Sequence, residues 1–579
     1  MPTPQSPGVE RADVGVSTDT VRVLHILAVS VPYLNGYTMR SRYVINQQRQ
    51  TPGYHPAVIT SPFYPTVPAS QQDEAIDGVQ YHRVPHPFDL PLADREWADS
   101  ACSFCYRTRL QLRYLFSAVM NLLSFKWLRL RMRPRLARVR LPINRGLWKQ
   151  RCMRAGKMVG LPTGYELPTA KGNARSIGNA NIAESNANPS PASPAVEQPA
   201  TRTTVTKPTA AKPKPRRLRA WLQDQVGSLL MGMEEVLLLR RFEREIIRVA
   251  RIEKPHVLHA HSPYRCGVPA ARAAKKLGIP LVYEVRGLWE ESGVAQGNFT
   301  EGSKKYRFWK MKETEAIRRA DVVVAICEQL REEVIRRGVD RQRTFVVPNA
   351  VDEQMLTSDD TAEDTADAGD TLIESARWLR TPASGATLGY VGSLRKLEGV
   401  DELVRAVGLL HAQGENVSLL IVGDGPELPQ LRELAEELGI ADRSVFTGRV
   451  PHDSIQRYYE LIDVFVISRP PLRVAELVTP LKPLEAMGLG RALVMPRLAS
   501  LCEIVREEET GLMYEPANVD DLARQCKRLM YDDALRDRLS QAAKIWVRDH
   551  RTWTKSLEGL VPAYDLVLSD RSAKQTASP

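Results

Sequence analysis

At 579 residues the chain is longer than a single hydrophobic core grows, so two domains with further segments outside them are expected. Its 43% hydrophobic and 26% charged residues suit a soluble globular protein and exclude a mainly disordered or fibrous one, while 40 prolines point to stretches outside the folded domains. The formal charge of +12 is local: Tyr106 to Lys157 carries 15 Lys and Arg and no acid, leaving −3 for the remainder and excluding a diffuse nucleic-acid-binding surface.

Residues 1–20 are polar and lie outside the expected fold. No basic stretch leads into an apolar run there, and no segment reaches the roughly 18 apolar residues of a membrane span. A cytoplasmic protein is therefore expected, peripheral on the inner face of the membrane. Arg22 to Val29 reads as a buried strand, followed by a loop through Gly36 and a helix from Thr38, the opening of a Rossmann unit. Strand-like runs follow at Pro56 to Thr60, Val79 to Val84, Val257 to Ala260, Leu281 to Val285, Asp321 to Ile326 and Thr344 to Val347. Helical stretches at Gly267 to Leu277 and Lys304 to Arg319 alternate with them, which argues for a parallel sheet covered by helices.

An insertion over residues 97–253 interrupts this domain. Its first part, around Tyr106 to Lys157, interleaves cations with aromatics and aliphatics, a pattern suited to an anionic membrane surface rather than nucleic acid. Residues 161–215 lack core-forming side chains and read as a linker, and a helix from Arg217 to Glu253 closes the insertion. The seven cysteines form no disulfide framework. Cys102 and Cys105 make a CxxC without the second pair a zinc site needs, so no metal is expected.

The first domain, residues 21–355, ends at a hinge in Phe345 to Asp352, and an acidic linker spans 356–384. The pattern restarts over 385–550, with strands at Thr387 to Val391, Val417 to Val422, Ser444 to Phe446, Asp463 to Ile467 and Arg491 to Met495. Residues 551–579 hold a closing helix, Trp553 to Leu568, and a tail.

Two segments of the second domain carry anion-binding chemistry. Tyr390 to Leu403 is a strand ending at Gly392, then a loop with Arg395 and Lys396, then a helix from about Gly399. Ligands of open α/β sheets bind at the carboxyl ends of strands, and a helix N-terminus attracts phosphate, although a solvated loop would show the same charges. Arg473 to Gly490 presents Thr479, Leu481 and Lys482 before a helix bearing Glu485, a carboxylate able to accept from ribose hydroxyls or simply to suit the helix dipole.

These segments resemble the donor site of family 4 glycosyltransferases, whose fold, GT-B, is α/β with two Rossmann-like doubly wound domains facing a cleft. LLIVGDGPELPQL, with Gly425, is similar to the family's glycine loop, and SVFTGRV, ending at Val450, to its nucleobase-contacting strand end. The chain departs from the family's commoner residues at Ser393, Glu398 and Leu477, and Arg395, Lys396 and Lys482 are expected to replace the lost charge. In the first domain Gly36 matches a loop that approaches the donor phosphate. His261 and Arg286, at the tips of adjacent strands, are the expected catalytic pair facing the interdomain cleft, with Arg286 where the family often has histidine. GYTMRSRY, HAHSPYRCG and YEVRGLWEE are most similar to glycosyltransferases of exopolysaccharide clusters in exosortase-bearing bacteria.

The resemblance implies metal-independent, retaining transfer of a sugar from a nucleotide-diphosphate donor, a co-substrate rather than a resident cofactor, to a polysaccharide or lipid-linked acceptor. A nucleotide-sugar epimerase on the same fold, or a non-catalytic scaffold, are the alternatives.

Overall fold

The computed structural model describes residues 20–31, 36–63, 73–85, 216–357, 376–451 and 454–576. The basic segment Tyr106 to Lys157, the CxxC at Cys102 and Cys105, and most of both linkers lie outside them. Compactness divides the chain into residues 1–89 with 236–579, and residues 90–235. Of the second unit, the described part is the first half of a helix that runs on into the first.

The first unit contains two sheets. The N-terminal sheet has strands β1 Val21–Leu27, β2 Tyr54–Thr60, β3 Asp73–Ile76, β4 Val79–Arg83, β5 Val257–His261, β6 Leu281–Val285, β7 Val322–Ala325 and β8 Thr344–Val346, in the order β3-β4-β2-β1-β5-β6-β7-β8. All pairs are parallel except the β3-β4 hairpin at the edge. That hairpin went unread because Asp73–Ile76 is short and half polar. Helices α1 Gly36–Gln50, α2 Arg216–Glu253, α3 Tyr264–Leu277, α4 Trp289–Ala295, α5 Lys304–Arg319 and α6 Glu328–Arg336 connect and cover the strands. Valine-rich strands buried on both faces, such as β7 (VVVA), are what a helix-covered parallel sheet requires.

The C-terminal sheet has β9 Ala386–Val391, β10 Val417–Val422, β11 Ser444–Gly448, β12 Val464–Val466, β13 Ala492–Pro496 and β14 Leu512–Tyr514, in the order β11-β10-β9-β12-β13-β14. Its helices include α7 Val400–Ala412, α8 Leu428–Glu437, α9 Lys482–Gly488, α10 Val519–Tyr531 and α11 Asp533–His550. Both sheets are doubly wound, and each reverses direction beside its first strand: between β1 and β5, and between β9 and β12. The carboxyl ends at such reversals are where open α/β sheets bind ligands.

The closing segment is two helices, α12 Trp553–Glu558 and α13 Val561–Thr576. It returns to the N-terminal sheet: Trp553, Leu557, Ala563 and Tyr564 pack against Val23, Val257, Val282 and Val322. The return begins where Val351 N donates to the Arg551 carbonyl and Trp553 N to the Val351 carbonyl. Two strands of chain therefore connect the halves. Among the described residues no helix is long and apolar enough to cross a membrane.

Candidate functional site

The carboxyl ends of β1, β5 and β6 hold a buried polar cluster that strand register assembles. His25 pairs with His259 across β1 and β5, and His261 with Glu284 across β5 and β6. Side chains two apart share a face, so His259 and His261 stack at 4.3 Å between ring centroids, with His25 at 5.0 and 5.2 Å.

One assignment of tautomers keeps all three histidines neutral. Arg286 Nη2 donates to His261 Nδ1 at 2.6 Å, His261 Nε2 to His25 Nδ1 at 2.9 Å, and His25 Nε2 to Gln48 Oε1 at 2.7 Å. Gln48 Nε2 donates to the Tyr564 hydroxyl at 2.8 Å, and that hydroxyl to His259 Nδ1 at 2.7 Å. His259 Nε2 then faces Glu284 Oε2 at 3.4 Å without a hydrogen bond, the same oxygen lies 2.9 Å from His261 Nδ1, and Glu284 Oε1 accepts from Arg286 Nε at 3.1 Å, which brings the circuit of contacts back to Arg286. Burial, reinforced by His259, lowers the His25 pKa to about 3, and burial with the Arg286 charge puts His261 well below its ordinary value. Burial alone would raise the Glu284 carboxyl, but Arg286 and Arg40 beside it hold it ionised. One nitrogen of each imidazole lies within 4.8 Å of the others, a spacing metal ligands also show, yet two guanidiniums already occupy the neighbouring carboxylate and oppose a further cation.

Arg286 is also fixed by the Tyr37 carbonyl at 2.9 Å and Ser41 Oγ at 2.7 Å, and stacks over the Tyr37 ring. The expectation that His261 faces an open cleft is corrected: it is fully buried, with both ring nitrogens engaged. Arg286, with 7% of its side chain exposed, is the member nearest solvent that carries charge. Arg40 extends the cluster toward the hinge: its Nε donates to Glu284 at 2.6 Å and its Nη atoms to the Val347 and Pro348 carbonyls and to Asn349 Oδ1. Asn349 Nδ2 then donates to the Thr479 carbonyl at 2.8 Å, tying the hinge to the loop before α9.

In the C-terminal half, glycines end three adjacent strands. Gly392 N donates to the Val422 carbonyl, and Gly423 N to the Gly448 carbonyl. A Cβ on Gly423 would lie 1.8 Å from the Gly392 carbonyl oxygen, and one on Gly425 2.2 Å from that of Leu394. Gly425 thus lets backbone pack on backbone. Gly392, at φ +152, leaves room for the Lys482 side chain, whose Cε would sit 2.1 Å from an added Cβ. Lys482 Nζ reaches Glu398 at 3.0 Å and Tyr390 OH at 2.6 Å, while Arg469 grips the same carboxylate at 3.2 and 3.3 Å. Burial would raise the Glu398 pKa, but Arg469 and Lys482 hold it at about 2. Glu485, half-buried one turn on, accepts from Tyr459 OH at 3.1 Å, and Val450 packs against the domain core.

This geometry redraws the expected convergence of charges. Lys482 lies at the reversal of the sheet, but Arg395 and Lys396 are exposed and line an open groove of ≈ 500 Å³ between α7 and α8, with Glu402, Arg405 and Glu427. The second cation beside Lys482 is Arg469. Its signal was available: it follows β12, the strand next to β9 at the reversal. Gly36 and Gly287 face the loop before α9 across the cleft, their Cβ positions 3.9 Å from Leu481 and Val478.

Residues 375–546 match the family model described as glycosyl transferases group 1, and residues 186–350 the one described as glycosyl transferase 4-like domain. The chain is 26% identical over 351 residues to a D-inositol 3-phosphate glycosyltransferase of Acidothermus cellulolyticus, covering 58% of this chain and 73% of that protein. It is 28% identical over 280 residues to a 2-deoxystreptamine glucosyltransferase of Streptomyces kanamyceticus, covering 48% and 68%. The fold is similar to that of a sucrose-phosphate synthase from Thermosynechococcus elongatus, with a TM-score of 0.56 at 15% identity over 95% of this chain and 100% of that one.

Proposed function

Since the chain is a family 4-like glycosyltransferase of GT-B architecture, we propose that it moves a sugar, with retention and without a metal ion, from a nucleotide-diphosphate donor to a polysaccharide or lipid-linked acceptor in cell-envelope or exopolysaccharide biosynthesis. The observation that carries this reading is Lys482 lying over Gly392 at the reversal of the C-terminal sheet, with Arg469 beside it. The diphosphate sits above Gly392, where it takes Lys482 from Glu398, and Arg469 remains to neutralise that carboxylate. Charge growing on the leaving phosphate is then met by a preplaced ammonium in a partly dry site. Glu485, on the same short helix, accepts from the ribose hydroxyls.

Across the cleft Arg286 holds a phosphate or acceptor oxygen through its guanidinium, and His261 acts through it as a positioning residue. Gly36 lets the backbone of the first loop approach the donor. The basic segment Tyr106 to Lys157 holds the enzyme at an anionic membrane surface, where a lipid-linked acceptor is concentrated.

The test is incubation with labelled nucleotide sugars, one arm with lipid-linked saccharides and one with small cyclitols of the kind that name the two relatives. Transfer to the lipid-linked arm supports the reading. Transfer only to the cyclitols, or none with any donor, contradicts it.

A further inference from the structure

The balance of −3 outside Tyr106 to Lys157 conceals a second concentration of charge. Helix α2 from Val236, with α3 and α5, carries 16 Lys and Arg against five Glu. All five acids are engaged. Glu243 binds Lys276 at 2.5 Å, Glu245 binds Arg248 at 2.7 Å, and Glu253 binds His82 at 2.8 Å. Glu315 binds Lys312 and Arg319, and the buried Glu313 accepts from Tyr283 OH and Tyr264 N. The positive charge of this helical layer is therefore not balanced within it, since all three helices pack on the same core through Phe242, Ile246, Ala270, Ala316 and Ile317, although Arg265 stacks on Phe63 and Trp289 and Arg318 donates to the Arg337 carbonyl.

Within this layer α5 has an exposed stripe at helical spacing, Lys304, Arg307, Phe308 and Met311. Phe308 is 40% and Met311 54% exposed, two large apolar side chains three apart on one helix face with Lys304, Arg307 and Lys310 around them. Lys310 beside them lies over the Tyr306 ring, and an open groove of ≈ 520 Å³ runs past Met311 between Arg307 and Arg318. On the inner side of α5, Trp309 contacts Trp289, three residues after Arg286.

We propose that this face of α2, α3 and α5 docks on an anionic lipid bilayer, with Phe308 and Met311 entering the headgroup region and the surrounding Lys and Arg paired with lipid phosphates. Cations flanking exposed apolar side chains are the chemistry of an interfacial helix. A polyanion such as RNA would reward the cations but not Met311. The inference does not depend on the donor chemistry. A chain that binds vesicles and transfers no sugar would contradict the function proposed above and leave this one standing.

The experiment is flotation of the full-length protein with vesicles of phosphatidylcholine, with and without phosphatidylglycerol, compared with binding to single-stranded RNA. Two variants are used, Lys304→Gln with Arg307→Gln and Lys310→Gln, and Phe308→Ser with Met311→Ser. Thermal melts and donor turnover on a soluble acceptor should match the parent, because none of these side chains touches the site. The triple variant should lose about a hundredfold in partition to anionic vesicles at low salt, since each cation near such a surface contributes severalfold. The double variant should lose binding that high salt does not remove. Parent-like flotation of both variants would overturn the proposal and leave docking to Tyr106 to Lys157. Loss of RNA binding without any vesicle binding in the parent would overturn it in favour of a polyanion.

Discussion

The Tyr564 hydroxyl donates to His259 Nδ1 at 2.7 Å across 305 residues of sequence, so the last helix of the chain supplies a link in the buried circuit of the first domain. Tyr564→Phe keeps the ring and removes the link between Gln48 and His259. A buried donor and acceptor left unpaired cost about 1–3 kcal/mol, measurable by urea unfolding. If the circuit orients Arg286, the variant should also raise KM for acceptor while leaving that for donor unchanged. A change confined to stability would show that Tyr564 only packs.

The same circuit makes the fold sensitive to acid. His25, with a pKa of about 3 when folded, titrates at the ordinary 6.5 when unfolded. The unfolded chain then binds more protons below 6.5, so stability falls as pH drops from there toward 3. At pH 4.5 this one group costs about 3 kcal/mol relative to neutrality. Glu398 acts at lower pH: its contribution is present above the unfolded value of 4.5 and is lost as pH falls through about 2. Urea midpoints across pH 4 to 7 should therefore slope upward, and His25→Gln should flatten the slope. An unchanged slope in that variant would contradict the neutral assignment.

Gly392 and Gly423 should respond differently to a methyl group. On Gly423 the methyl meets backbone, 1.8 Å from the Gly392 carbonyl, and the φ of +139 suits only glycine. Gly423→Ala should cost about 3 kcal/mol or more in unfolding free energy. On Gly392, whose φ of +152 is likewise strained for a side chain, the methyl meets the end of a flexible lysine, so Gly392→Ala should cost less stability than Gly423→Ala and should in addition displace Lys482 and lower turnover. Since both share the backbone strain, a stability loss in Gly392→Ala as large as that in Gly423→Ala, or parent-like turnover in Gly392→Ala, would contradict this division.

The groove position of Arg395 and Lys396 gives a negative control. Replacing both by Ala should leave donor affinity within about twofold, because solvent-exposed charges outside the site contribute little. A tenfold loss would move the diphosphate toward the α7-α8 groove.

Much of the architecture was legible because buried parallel strands are short apolar runs with few alternatives: Leu281–Val285 and Val417–Val422 were read to the residue. The edge strand Asp73–Ile76 and the late β14 were missed, the first too polar and the second only three residues long. Gly392 at a strand end and Lys482 and Glu485 at a helix start were legible because those places have a local signature, and the structure brings Lys482 against Gly392. Arg469, Arg40 and the His25–Gln48–Tyr564 links were missed because their partners are set by strand order and a returning helix, which no local pattern encodes. Arg395 and Lys396 were misplaced for the complementary reason: closeness in sequence to Gly392 does not fix the direction of a loop side chain.

The most direct test of the central claim is the kinetics of Lys482→Ala with a labelled nucleotide sugar that the parent enzyme uses, beside Glu485→Gln. If the ammonium over Gly392 stabilises the leaving diphosphate, Lys482→Ala should lower kcat by about 2.7–4 kcal/mol in barrier terms and donor affinity much less, because the charge grows in the transition state. Glu485→Gln should instead raise the donor Kd with kcat nearly unchanged, as a ribose contact made equally in both states would. Parent-like turnover and affinity in both variants would place the donor elsewhere and contradict the account.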